Sequence, residues 1–123
     1  MGLAPRRSTH PVPVRNLVLG GANPIAVQGM IKRSAHDGPA VLDQVEALRS
    51  AGCELCRLAV PDVKGAATLG WVAQRTSLPL VADIHFDHRL ALLAIEAGAA
   101  KLRVNPGNLG GPDATATNHF VTL

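Results

Sequence analysis

The sequence predicts an α/β fold of about four parallel strands and three helices, preceded by a small β-hairpin. Three observations carry this. Apolar runs of strand length begin near residues 24, 54, 79 and 100. Each gap between them holds apolar residues at helical spacing. Each run ends in a turn or loop bearing polar side chains, as strands joined by βαβ crossovers do.

The first eleven residues, rich in Pro, Arg and Ser, read as a loose leader. Val12 to Leu19 alternates weakly before Gly20-Gly21, so a hairpin is expected within Val12–Val27. Pro24-Ile-Ala-Val-Gln-Gly-Met30 is the first long strand, followed by a polar loop over 31–38. Pro39 suits a first helical turn with Asp37 at the cap, Val41, Leu42, Val45 and Leu48 line the inner stripe, and Gly52 stops the helix. Leu55 to Val60 is the second strand, and a helix follows from Asp62 or Val63 to Arg75. Gly65 and Gly70 weaken that helix by up to ~1 kcal/mol each. Pro79 to Ile84 is the third strand. Asp87 caps a helix with Leu90, Leu93, Ala94 and Ala97 inside and Gly98 as its stop. Ala100 to Asn105 is the fourth strand, ended by Pro106-Gly107-Asn108. Residues 12–111 thus form one domain, and 112–123 an irregular tail. The spacing fits part of a (β/α) barrel and equally a four-stranded open sheet.

Composition narrows the function. Hydrophobic residues make up 47%, enough for a core. Two Phe, one Trp and no Tyr leave no stacking platform for single-stranded nucleic acid. Arg6, Arg7 and Arg15 concentrate the net charge of +3 at the front, so a nucleic-acid surface is not expected. No apolar run reaches membrane-spanning length and no signal peptide opens the chain, so a cytoplasmic location is expected. Cys53 and Cys56 lack a helix N-terminus to lower a thiol pKa and a second ligand pair to complete a zinc site. They read as small core residues, and no metal site is expected.

In either architecture ligands bind at the carboxyl ends of the strands. The first strand places Gln28 and Met30 there, the second Arg57, the third Asp83 and His85, the fourth Arg103 and Asn105. The last two pairs are two residues apart and so share a side of an extended chain. An unpaired guanidinium inside an apolar strand costs several kcal/mol, so Arg57 and Arg103 need a carboxylate or a ligand anion. Two guanidinium groups, an imidazole and an amide suit phosphate or diphosphate oxygens. The competing reading is an Arg57–Asp83–Arg103 network that is purely structural. Lys32 and Arg33 extend the cationic field or are simply solvated, and solvation is the simpler reading.

Pro24-Ile-Ala-Val-Gln-Gly-Met30, Cys56-Arg-Leu-Ala-Val-Pro61, Val81-Ala-Asp-Ile-His-Phe-Asp87 and Lys101-Leu-Arg-Val-Asn-Pro-Gly-Asn108 resemble, in order and spacing, the front of the 4-hydroxy-3-methylbut-2-en-1-yl diphosphate synthase family. The resemblance runs from about Arg6 to Gly110. It implies the amino-terminal half of a TIM-type barrel, followed in the family by a domain holding a [4Fe–4S] cluster on three cysteines and a glutamate. The activity implied is the reductive opening of 2-C-methyl-D-erythritol 2,4-cyclodiphosphate in the methylerythritol phosphate route to isoprenoids. The implied partners are that cyclic diphosphate, flavodoxin or ferredoxin as electron donor, and a second copy in a homodimer. By motif, Arg57, His85, Arg103 and Asn105 resemble diphosphate contacts, and Asp83 the acid that orients them.

Two departures stand out. The family continues V-Q-S-M-T-N-T where this chain has Val27-Gln-Gly-Met-Ile-Lys-Arg33, removing hydroxyls and an amide. By the resemblance, the chain is also expected to cover roughly four of eight strands, without the iron–sulfur domain or its ligands. Half a barrel is expected to leave two open edges and an apolar face, and to be marginal or self-associating. No side chain here supplies two electrons, so catalysis by this chain alone is not expected. The alternative is a non-catalytic phosphate-binding half-barrel or a gene remnant without function.

Overall fold

The computed structural model describes residues 2–107. The expected irregular tail, 112–123, and Asn108 of the turn after the fourth long strand lie outside the described residues. Val12–Val14 (β1) and Leu17–Leu19 (β2) form an antiparallel hairpin. Gln28–Met30 (β3), Leu55–Ala59 (β4), Leu80–Ile84 (β5) and Lys101–Val104 (β6) form a parallel sheet in sequential order. Gly38–Ser50 (α1), Val63–Ala73 (α2) and His88–Ala97 (α3) connect them. No helix among the described residues is long and apolar enough to cross a membrane.

Two expectations need correction. The hairpin turns at Arg15-Asn16 and closes by Leu19, short of Val27. The first long strand is three residues, Gln28–Met30, rather than the run from Pro24. Pro24 has no N–H to donate, and Val27 reaches the ladder only through its carbonyl, which accepts from Glu54 N–H at 2.8 Å.

The helices begin and end where their capping chemistry dictates. Asp37, Asp62 and Asp87 cap α1, α2 and α3, accepting from Ala40, Gly65 and Arg89 N–H respectively. Gly52 (φ 107) and Gly98 (φ 116) take the left-handed conformation that closes α1 and α3. The N–H groups of Cys53 and Ala99 then reach back to the carbonyls of Leu48 and Ala94 at 3.0 and 2.9 Å.

Core composition decides between barrel and open sheet. One buried cluster joins Val41 and Val45 of α1, Ala66, Leu69 and Val72 of α2, and Ala91 and Ala94 of α3 to Cys56, Leu58, Leu80, Ala82 and Ile84. Those strand residues alternate with Leu55, Arg57, Val81 and Asp83, so all three helices lie on one face of the sheet. Sequential strand order with one-sided helices is the winding of a (β/α) barrel rather than of a doubly wound sheet. Arg15, at φ 57 in the hairpin turn, donates from Nη2 to Gly98 O at 2.8 Å and lines a cleft with Glu54 and Pro79. The hairpin therefore sits at the amino ends of the strands. There Val14, Leu55 and Val81 are buried. The carboxyl half of the inner face carries Arg57, Asp83 and Arg103. It is thus not the apolar face expected for half a barrel.

Gly29 lies level with Cys56 and so faces the helices. A Cβ there would stand 2.9 Å from Leu48 Cδ1 and 3.0 Å from Cys53 Sγ. Cys53 therefore fills space that a larger residue at 29 would need. Gly29→Ser is expected to cost about 1 kcal/mol, and Cys53→Ala in the same chain to recover part of it, the Leu48 contact remaining. Urea denaturation of the two single variants and the double measures this coupling; additive losses would contradict it.

Candidate functional site

Among the described strands, β5 alone is buried along its whole length, and it lies between β4 and β6 in the sheet. Its fourth residue, Asp83, is 2% exposed. The register sets Asp83 level with Ala59 on one side and Arg103 on the other. Arg57, two residues before Ala59, shares that face. An apolar environment penalises an isolated carboxylate, and three groups answer the penalty. Arg57 Nη2 donates to Oδ2 at 2.9 Å, and Arg103 Nη1 donates to Oδ1 at 3.3 Å. His85 Nε2 stands 3.2 Å from Oδ2. Burial pushes the Asp83 carboxyl up, but the hydrogen bonds and charges of Arg57 and His85 outweigh it and hold the carboxyl below its ordinary value.

The arrangement is a buried anion beneath a more open layer of donors. The side chains of Arg57, Arg103 and His85 are 29%, 43% and 53% exposed, against 3% for Asp83. Two guanidinium groups face one carboxylate, leaving surplus positive charge at the rim even with His85 neutral. Arg57 Nε is enclosed without a partner, so this guanidinium is not satisfied by Asp83 alone. Beside the cluster lies a cleft of about 170 Å³, lined by Ala59, Pro61, Asp83, His85, Phe86 and Leu90. Surplus donors next to a largely apolar cleft can bind an anionic group and pack the carbon skeleton it is attached to.

Arg57, Asp83, His85 and Arg103 are thus brought together as the strand-end reading expects. Asn105 is not part of that contact set. It follows β6 two residues beyond Arg103, and its Oδ1 accepts from Gly107 N–H at 3.1 Å, shaping the turn. One rim pair escaped the sequence reading. His36 Nε2 lies 2.9 and 2.8 Å from the two oxygens of Asp62. The backbone N–H of Gly65, then His36, hold the Asp62 carboxyl below its ordinary value. The pair fastens the β3–α1 loop to the start of α2. Asp62 was legible as a cap, but nothing local marks a partner 26 residues away.

The cysteines do not suit an iron–sulfur cluster. Cys56 is fully buried within the helix-side core, and burial pushes its thiol up to about 11, away from the thiolate that ligation requires. Cys53 is half-buried against Gly29. Among the described residues no group of three or more His, Cys, Asp or Glu could hold a metal.

Fold and site together define a (β/α)-barrel segment with a cation-rich rim at the carboxyl ends of its strands. The chain belongs to the family described as GcpE TIM-barrel domain, whose model matches residues 9–122. It is 47% identical over 105 residues to a 4-hydroxy-3-methylbut-2-en-1-yl diphosphate synthase (flavodoxin) of Halalkalibacterium halodurans, covering 85% of this chain and 29% of that protein. Proteins of the same name from Dehalococcoides mccartyi and Listeria monocytogenes are 44% and 45% identical over 108 residues, 88% of this chain and 31% and 29% of theirs. The chain therefore spans about 30% of the length of the curated relatives it matches.

Proposed function

We propose that this chain is the amino-terminal, substrate-holding part of a 4-hydroxy-3-methylbut-2-en-1-yl diphosphate synthase. It grips 2-C-methyl-D-erythritol 2,4-cyclodiphosphate by its phosphoryl oxygens. The observation that carries this reading is the convergence of Arg57, Arg103 and His85 on buried Asp83. Asp83 orients the guanidinium groups, and the surplus positive charge meets the phosphoryl oxygens with charge-assisted hydrogen bonds. The adjoining cleft takes the carbon skeleton. Asn105, at the same rim, adds its amide as a donor to the second phosphoryl group.

The whole protein's activity is the reductive opening of that cyclic diphosphate in isoprenoid biosynthesis. Flavodoxin supplies the electrons, as the relatives' names support, with ferredoxin as the alternative donor. A [4Fe–4S] cluster would deliver them to the substrate, and its ligands lie outside the residues described here. A homodimer in the cytoplasm completes the reading. Isothermal titration of the cyclic diphosphate into the purified chain tests the binding step. Saturable binding that weakens with salt is expected. Absence of heat and of any protection against thermal unfolding would rule out a retained site.

A further inference from the structure

We propose that Lys101 is a reserve counterion for Asp83: when an anion at the rim draws Arg103 off that carboxylate, the Lys101 ammonium takes its place. Lys101 is thus a positioning residue, acting on the ligand through Asp83. This deepens the anion-binding reading above and rests on it. The β5–β6 ladder places the residue, pairing Val81 with Lys101 and Asp83 with Arg103. Leu102 and Val104, which alternate with them, pack against the helix-side core. Lys101 and Arg103 therefore share the opposite face with Asp83.

Across β5 stands Arg57, paired with the same Val81. Arg57 and Lys101 are thus at equal height on either side of β5, each one strand over from Asp83 and two residues below it. At about 4.8 Å between strands and about 3.3 Å per residue, each backbone lies roughly 8 Å from that of Asp83. Arg57 bridges this span, its Nη2 donating to Asp83 Oδ2 at 2.9 Å. The four-carbon stem of a lysine covers nearly the same reach. In the free structure that reach is not used. Lys101 is exposed, and among the described residues no carboxylate pairs with it.

The carboxylate has its opening on the β6 side. Oδ2 holds Arg57 and His85, whereas among the described residues Oδ1 has only Arg103 Nη1, at 3.3 Å, the longest contact of the network. Arg103 is also the more open of the two guanidinium groups, 43% exposed against 29% for Arg57. An incoming anion therefore competes for Arg103 first. Asp83 is 2% exposed, so water does not replace the lost donor at Oδ1. Lys101 is the remaining cation of β6 and stands on the same face. An ammonium is a compact point charge that serves a single oxygen well, while the planar fork of Arg103 suits phosphoryl oxygens better. The exchange gives each anion the cation that fits it.

The test is a double-variant cycle without ligand, followed by titration with inorganic diphosphate. Lys101→Met keeps the apolar stem and removes the charge. In the free wild-type chain Arg103 holds Oδ1, so Lys101→Met is expected to move the urea midpoint by less than about 0.2 M. In an Arg103→Ala background Oδ1 is vacated and Lys101 moves in, so the same change should lower the midpoint by about 0.5 M or more. Calorimetric titration of diphosphate into the 123-residue chain supplies the ligand arm. Lys101→Met is expected to weaken binding about fivefold, and Lys101→Arg, which keeps the charge, to stay within about twofold. Equal midpoint shifts in the two backgrounds overturn the assignment even if diphosphate binding falls, since Lys101 would then touch the anion itself or brace the sheet. Unchanged diphosphate affinity in Lys101→Met overturns it too, while leaving the Arg57–Arg103 site intact. A wild-type chain that binds no diphosphate overturns the anion-binding reading and the ligand-driven exchange together.

Discussion

Asp83→Ala is expected to cost roughly 2–4 kcal/mol of folding stability, a large share of the ~5–15 kcal/mol of an ordinary domain. The carboxylate is 2% exposed and is the common partner of Arg57 and Arg103. Its removal leaves two guanidinium groups facing each other across the inner face with nothing between them. Their partial exposure lets water recover some of the loss, which places the figure below that for a fully enclosed pair. Arg57→Ala alone should cost less, because Asp83 retains Arg103 and His85.

The same carboxylate gives a pH signature. Its pKa is lower folded than unfolded, burial being outweighed by the hydrogen bonds of Arg57 and His85. Its contribution is therefore complete above the unfolded value of about 3.9 and is lost as pH falls through the lower folded value. Urea midpoints followed from pH 7 down to pH 3 should show the gap between wild type and Asp83→Ala narrowing toward the acid end. Other carboxylates titrate in both proteins and cancel in the difference. A loss under about 1 kcal/mol at pH 7, or a gap that stays constant, would show that the network does not hold the sheet together.

Local chemistry made much of this legible. The caps Asp37 and Asp87 and the stops Gly52 and Gly98 sit where their backbone preferences act within a few residues. The strand-end positions of Arg57, Asp83, His85 and Arg103 followed from alternation along single strands. What single strands do not carry is register. That Met30 pairs with Arg57 depends on how far β3 slides past β4, and no residue in either segment announces it. The length of β3 was misjudged for a related reason. An apolar run such as Pro24–Val27 reads as strand on composition, but strand is defined by a partner, and β4 begins opposite Gln28. Asn105 shows the converse, a residue whose type suits the site while its oxygen is occupied by its own turn.

Arg57→Ala and Arg103→Ala are each expected to weaken binding of the cyclic diphosphate about 10- to 100-fold, the worth of one or two charge-assisted hydrogen bonds. Arg57→Ala should be the worse of the two. It removes a donor and also leaves Asp83 Oδ2 with one fewer neutralising partner, so the carboxylate repels the incoming anion more strongly. Arg57→Lys is not expected to rescue, because an ammonium cannot donate to Asp83 and to a phosphoryl oxygen in one plane. The double variant should lose less than the sum of the singles, since both side chains are held by one carboxylate. Asp83→Asn then separates orientation from charge. If Asp83 acted only as a negative charge near the ligand, removing it would tighten binding. If it holds the guanidinium groups in place, the extra positive charge is offset by their disorder and binding weakens. Titration of all five variants at two salt concentrations measures each outcome. Tighter binding in Asp83→Asn, or affinities in both arginine variants within twofold of wild type, would leave the cluster as a brace of the sheet and nothing more.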